Sequence, residues 1–369
     1  MAKPIHCITD ARRYAKRRMP RIMFDCVDGA AGAEYANGLN QERIQQLRLL
    51  PRVLVNVAQR DLSTRFLERD WGLPFGIAPM GMCNLTWPGA DRMLADAAKK
   101  FDIPMALSTM SSTSLEQVAQ WTSENCWFQL YVGQSETQAM QLVQRAEDAG
   151  CTTLILTVDV PQVAPRVRDL KNGFEAPLRI GARQFVDFAL HPIWSVKTLL
   201  AGAPGLANFS PGEFYRDGGR GLVDWEFLDR LRGRWKGHLI IKGVLSVEDA
   251  LRIQNAGIDS IYVSNHGGRQ LDAAPAAIDM LPQLREALGP DYPLLFDSGI
   301  RGGEGVVKAL AQGASFVMLG RSLLYGLGAD GERGLQRVID LVRNEISVTM
   351  AQIGCTGIKQ INHSVLVQK

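Results

Sequence analysis

The 369-residue chain sets 41 Lys and Arg against 38 Asp and Glu, and 46% of its residues are hydrophobic. This balance lacks the basic excess of a nucleic-acid-binding protein and supplies enough apolar residues for a sizeable core. The length suits one large barrel domain or two smaller ones.

Six cysteines (Cys7, Cys26, Cys83, Cys126, Cys151, Cys355) form no C-x-x-C pair, and no His/Cys group has zinc-ligand spacing. A reduced, cytoplasmic setting without a structural metal is expected. The N-terminus lacks the apolar core of a signal peptide, and no run stays apolar for the ~18 residues of a membrane-spanning helix.

Residues 1–70 read as an N-terminal helical cap. Its basic cluster, Arg12, Arg13, Lys16, Arg17, Arg18 and Arg21, fits a solvated helix face. Eight apolar, β-rich runs follow, at 73–79, 104–108, 127–132, 153–159, 239–243, 260–265, 293–299 and 316–320. They are nearly continuous in apolar residues, as parallel strands covered by helices require. Amphipathic stretches lie between them. The helices over 135–150 and 246–257 end at Gly150 and Gly257, which suit a left-handed cap. Ser246 suits an N-cap, with acidic residues in the first turn after it.

Eight strand-plus-helix units predict a (β/α)8 TIM barrel over 71–353 within a single domain of 1–369. A doubly wound sheet is the runner-up, but the G-x-G-x-x-G expected after its first strand is absent. From Asp159 to Asp224 the chain takes about 65 residues where a βα loop needs roughly 2–6. This long insertion after strand four (160–223) contains the apolar stretch Phe185 to Gly202. It reads as a lid, an oligomer contact or a membrane-surface segment with Lys197 toward the headgroups.

Polar residues collect at the C-terminal ends of the strands, where barrel active sites lie. They are Gly81, Ser108, Gln129 with Tyr131, Thr157 with Asp159, Lys242, Ser264 to Arg269, Asp297 with Ser298 and Gly299, and Gly320 with Arg321. Each such group must be partnered if buried, so one shared pocket explains all eight better than eight separate core sites. Arg301 and Arg321 follow strands seven and eight, the usual phosphate site of this fold. His266 is a natural general base, and Arg269 can grip a carboxylate through two hydrogen bonds.

The stretch SNHGGRQLD (Ser264 to Asp272), with WFQLY, TVD-x-P, IKG, DSGIR and LGR in order, resembles the FMN-dependent 2-hydroxy acid dehydrogenase and oxidase family. That family includes glycolate oxidase, L-lactate dehydrogenase and mandelate dehydrogenase. The resemblance covers nearly the whole chain. It implies the barrel, bound FMN and oxidation of an L-2-hydroxy acid to the 2-keto acid. By the same resemblance His266 is the base, Asp159 orients it, and Tyr131 lies near the substrate hydroxyl. Arg166 and Arg269 hold the substrate carboxylate, and Lys242 stands beside flavin N1 and O2. Ser108, Gln129, Thr157, Ser264 and the backbone of Pro79, Met80 and Gly81 contact the flavin. Asp297, with Ser298 and Gly299, contacts the ribityl chain, while Arg301, Gly320 and Arg321 clamp the phosphate.

Three positions depart from the family pattern. Cys26 stands where a substrate-binding tyrosine is usual, and a thiol is a weak donor. This leaves the acid's side chain open and gives room for a larger one, including a 2-hydroxy or 2-amino acid group on a larger molecule. Ala164 replaces a glycine. Gly81 replaces the alanine frequent in oxidases, which favours electron delivery to a quinone or another carrier over oxygen. The resemblance also suggests a tetramer, peripheral contact with the inner face of the cytoplasmic membrane, or both. A non-catalytic flavin- or phosphate-binding barrel and a flavin-free isomerase are the readings from other classes.

Overall fold

The computed structural model describes residues 4–133, 135–174, 180–209 and 222–367. All eight expected strands form. β3 (Phe75–Met80), β4 (Met105–Ser108), β5 (Cys126–Leu130), β6 (Thr153–Thr157), β7 (His238–Val244), β8 (Ser260–Val263), β9 (Leu294–Phe296) and β10 (Phe316–Leu319) close into one parallel barrel. β10 returns to β3 with Val317 opposite Phe75. The chain is thus a (β/α)8 barrel. The outer helices include α4 (Ala90–Phe101), α5 (Leu115–Thr122), α6 (Glu136–Asp148), α10 (Trp225–Arg234), α11 (Val247–Asn255), α12 (Ala277–Leu288), α13 (Gly303–Ala311) and α14 (Arg321–Gln352). Ser135 and Ser246 cap α6 and α11 by accepting from the N–H groups of Gln138 and Asp249, and Gly150 and Gly257 take positive φ.

The region before the barrel divides in two. α1 (Ile8–Arg18) packs along α14, while α2 (Arg21–Asp28) and α3 (Tyr35–Gln46) lie over the C-terminal ends of the strands, α2 against α7 (Val167–Asn172) and α3 against the loop after β8. Residues 64–71, expected within a helical cap, instead form a hairpin of β1 (Thr64–Phe66) and β2 (Arg69–Trp71). Its turn places Leu67 (φ 48°) and Glu68 (φ 63°) in the left-handed region without a glycine, so no turn signal marks it in the sequence. Phe66 and Trp71 enter the N-terminal mouth of the barrel. There Phe66 meets Phe316 at 5.2 Å between ring centroids, and Trp71 meets Trp127 edge-on at 5.8 Å. With Ile155, Ile240, Tyr262 and Leu295 these rings fill the interior. One end is therefore plugged, and the other is left for polar groups.

The described part of the long insertion forms α7, α8 (Ala182–Leu190) and α9 (Pro192–Ala201). Pro192 opens α9 at its first turn, where its missing N–H costs nothing. Trp194 is 4% exposed, stacks on Phe188 and donates its indole N–H to the Leu85 carbonyl. The outer faces stay bare: Phe185 is 66%, Leu190 73%, and Leu199 and Leu200 82% exposed. Lys197, expected to point outward, lies over the Trp87 ring, 4.5 Å from its centroid, because cation–π attraction holds the ammonium against the body.

Trp127→Ala should cost about 3–5 kcal/mol, since it empties the ring cluster that seals the barrel. Leu199→Ala, on a bare face, should change stability by less than about 0.5 kcal/mol. Urea denaturation followed by circular dichroism checks both. A Trp127→Ala cost no larger than that of Leu199→Ala would show that the hairpin does not plug the barrel.

Candidate active site

Above the apolar layers, the strand ends form a buried polar floor. Ser108 donates to Gln129 Oε1 at 2.9 Å, and Gln129 Nε2 donates to Thr157 Oγ1 at 2.9 Å. Across the barrel Lys242 Nζ donates to Ser264 Oγ (3.1 Å), and Ser264, Ser298 and Tyr262 all donate to the Asp297 carboxylate (2.5, 2.8 and 2.8 Å). Tyr262 belongs to this network although it reads in the sequence as an interior strand residue. Burial pushes the Lys242 ammonium down, and Asp297 and Asp159 outweigh it, so the group stays charged.

β7 bulges at Gly243 (φ 103°), and a Cβ there would meet the Asp159 side chain at 2.5 Å. Glycine is therefore what admits Asp159 beside Lys242. His266 (φ 59°), Gly267 (φ 63°) and Gly268 (φ 76°) are successive left-handed residues. Their N–H groups are taken by Ser264 Oγ (3.0 Å), Ser298 Oγ (3.1 Å) and Asn265 Oδ1 (3.2 Å), which offsets the strain of the turn. Asn265 and Asn40 exchange amide hydrogen bonds at 2.8 and 2.9 Å and tie the loop to α3.

This loop aims the imidazole. His266 Nδ1 lies 3.0 and 3.2 Å from the two Asp159 oxygens, and Nε2 lies 3.2 Å from the Tyr131 hydroxyl. An ionised carboxylate only accepts, so Nδ1 carries the proton and Nε2 presents its lone pair toward Tyr131. Burial and the Lys242 charge hold His266 below its ordinary value, against the pull of Asp159. Burial pushes the Asp159 carboxyl up, but His266 and Lys242 outweigh it and keep it ionised. The result is a neutral imidazole backed by a carboxylate, which is a base at neutral pH.

Three arginines converge beside it. Arg321, at the start of α14, donates to the carbonyls of Val27 (3.2 Å), Gly29 (2.8 Å) and Gly267 (2.9 Å). Arg269 donates to the carbonyls of Cys26 (3.0 Å) and Gly29 (2.8 Å). Arg301 and Arg321 share Asn37 Oδ1 at 3.5 and 3.3 Å. Carbonyls at the C-terminal end of α2 thus supply the negative ends of peptide dipoles. Burial, with the charges of Arg301 and Arg269, presses Arg321 down to about 9. Such a cluster at the starts of α13 and α14 calls for an anion, and a phosphate fits it. Gly320 lies at the N-cap of α14, and Pro79 and Met80 end β3. At Gly81 an added Cβ would meet Met110 Cβ at 2.9 Å. Gly299 (φ 93°) turns the chain after Ser298.

A sequence profile of FMN-dependent dehydrogenases matches residues 15–368. The chain belongs to the FMN-dependent dehydrogenase family. It is similar to (S)-mandelate dehydrogenase of Pseudomonas putida, 39% identical over 99% of this chain and 95% of that one. It is 38% identical to an L-lactate dehydrogenase of Pseudomonas syringae pv. syringae (strain B728a) over 99% of both. Among solved structures, monotopic membrane (S)-mandelate dehydrogenase superposes over the full length of both chains with TM-score 0.95, and a mandelate oxidase over 99% of both at 0.86. This FMN-dependent dehydrogenase is thus an oxidoreductase acting on CH–OH groups, with FMN as cofactor.

Two expected residues lie at the margin of this cluster. Arg166 is the N-cap of α7, 3.8 Å from Asp169, and its stretch is tied to the His266 loop by Ala164 N–H donating to Gln270 at 3.4 Å. Cys26 joins the site through its carbonyl, on Arg269. Asn37 and Asn40 carry no chemical signature, so only their packing reveals them.

Asp159→Asn keeps an acceptor for Nδ1–H but removes the charge that raises the His266 pKa. An NMR titration of the imidazole should show that pKa fall further. A rise would contradict the electrostatic assignment.

Proposed function

We propose that this dehydrogenase oxidises an L-2-hydroxy acid to the 2-keto acid with His266 as base. The observation that carries the reading is the Tyr131–His266–Asp159 chain, a neutral imidazole between a phenol and a carboxylate. Arg166 and Arg269 would hold the substrate carboxylate by charge-assisted hydrogen bonds, Tyr131 would receive its hydroxyl, and His266 Nε2 would take the proton from C–OH or Cα–H. Asp159 would stabilise the imidazolium and fix its tautomer. FMN, when bound, supplies the two-electron acceptor. Arg301, Arg321 and the backbone at Gly320 would hold its phosphate, and Asp297, Ser298 and Gly299 its ribityl chain. Ser108, Gln129, Thr157, Lys242, Ser264 and the backbone of Pro79 to Gly81 would hold its ring, with Lys242 favouring negative charge there. Cys26 leaves space where a phenol is usual, which supports an acid larger than lactate.

Gly81, standing where oxidases of the family often carry alanine, supports a quinone or another carrier, rather than oxygen, as acceptor. The bare faces of α8 and α9 support a peripheral seat on a membrane surface, where Phe185, Leu190, Leu199 and Leu200 would enter the interface. The relative solved as a monotopic membrane protein points the same way. No helix among the described residues is long and apolar enough to cross a membrane. The exposed run Val53, Leu54 and Val55 offers a face for assembly into a homo-oligomer such as a tetramer.

His266→Ala should retain FMN and lose about two to four orders of magnitude in kcat, the usual worth of a general base. Because the His266 pKa is depressed, wild-type kcat/KM should fall with decreasing pH through a midpoint below about 6.5. Assays across L-lactate, (S)-mandelate and larger 2-hydroxy acids check both points. A folded, yellow His266→Ala variant with full activity would refute the role.

The wild type should co-sediment with liposomes, more so with anionic lipid. Replacing residues 185–202 by a short polar linker should release the protein while leaving FMN bound and reducible by substrate. Indifference of the wild type to liposomes, or loss of the fold on replacement, would make the segment structural.

A further inference from the structure

Arg168 lies on α7, two residues past Arg166, and has no part in the chemistry above. Its Nε and Nη2 each lie 2.6 Å from a Glu34 oxygen, and its Nη1 lies 2.9 Å from Asp28 and 3.2 Å from Asp25. One guanidinium therefore gathers three carboxylates, two from α2 and one just before α3. The surroundings complete the cluster. Arg12 of α1 makes a two-pronged contact with Asp28 at 2.6 and 2.8 Å, and Tyr325 of α14 donates to Asp28 at 2.7 Å. Arg21 and Asn172 reach Asp25 at 3.4 and 2.7 Å, and on α7 itself Asp169 faces Arg166. Burial pushes the Asp28 carboxyl up, but Arg12, Tyr325 and Arg168 outweigh it and hold it well below the usual carboxylate range.

The position of this cluster gives it a use. The cap stretch that supplies Asp25, Asp28 and Glu34 also supplies the Cys26 and Gly29 carbonyls on Arg269, while α7 begins at Arg166. We propose that Arg168 is a positioning residue that closes the substrate-carboxylate grip by locking α7 to the cap, so that Arg166 and Arg269 converge on one anion. This rests on the reading that those two arginines receive the substrate carboxylate. The lock is electrostatic. Without the guanidinium, three carboxylates of the cap face one another with only Arg12 and Arg21 beside them, so the end of α2 and the start of α3 repel each other and lose their shared tie to α7. Arg321 also holds the Gly267 carbonyl and Arg301 the Ile300 carbonyl, both outside the cap, so cofactor retention should be affected less than KM.

The test uses the holoenzyme with whichever of (S)-mandelate, L-lactate and glycolate reduces the wild-type flavin most readily, and a soluble dye as electron acceptor. Arg168→Met should raise KM by about tenfold or more, with a change in kcat below about threefold and FMN retained. Adding Glu34→Gln to Arg168→Met removes one of the repelling charges and should recover part of the loss. Arg168→Lys keeps the charge without the fork and should fall between, which preserves a test if the Met variant does not fold. An unchanged KM in Arg168→Met, or a raised KM with no rescue by Glu34→Gln, overturns the proposal and leaves Arg168 a packing residue. Failure of every acid to reduce the wild-type flavin overturns instead the functional reading on which the proposal stands.

Discussion

The Lys242 ammonium, buried at the centre of the barrel's open end, sets the charge state of the groups around it. A lone cation there would lose its proton to escape the cost of desolvation. Asp297 on one side and Asp159 on the other prevent this, and Lys242 in return helps keep Asp159 ionised and His266 neutral. The glycine bulge at 243 makes this arrangement sterically allowed, because any side chain there would occupy the space of Asp159. Imidazole, carboxylate and central cation thus form one electrostatic unit.

Around that unit the site is closed by backbone as much as by side chains. The end of α2 offers carbonyls to Arg269 and Arg321, and Gly29 is shared by both. The arginine assigned to substrate and the one assigned to phosphate therefore lean on the same peptide group, and a shift of the cap reaches both. The left-handed run at His266 is held in turn by Ser264, Asn265 and Ser298, which fixes the imidazole. Preorganisation of this kind spares the reaction the work of orienting its groups.

The insertion after β6 serves both inward and outward sides. Its first helix, α7, carries Arg166 and Arg168 toward the cap, while α8 and α9 turn large apolar groups outward and are pinned to the body by Trp194 on the Leu85 carbonyl. Leu85 lies in the loop that follows Gly81, so the element proposed to meet the membrane packs directly on a loop proposed to border the flavin.

The sequence by itself determined the barrel, its eight strands and the polar crown at their ends. Parallel strands buried on both faces must be continuously apolar, and a Gln, Lys or Asp at such a strand's end stands out against that background. The SNHGGRQLD stretch carried the family and with it the cofactor. The tertiary structure alone decided what depends on residues far apart in the chain. Asn40 meets Asn265, Arg168 gathers Asp25, Asp28 and Glu34, and Arg321 reaches back to Val27 and Gly29. No local periodicity encodes such pairs. The hairpin at 64–71 escaped because its turn uses Leu67 and Glu68 rather than glycine or asparagine. The burial of Trp194 beside the exposure of Leu199 and Leu200 could not be read from a uniformly apolar run, because which face of such a helix is covered depends on what the rest of the chain brings against it.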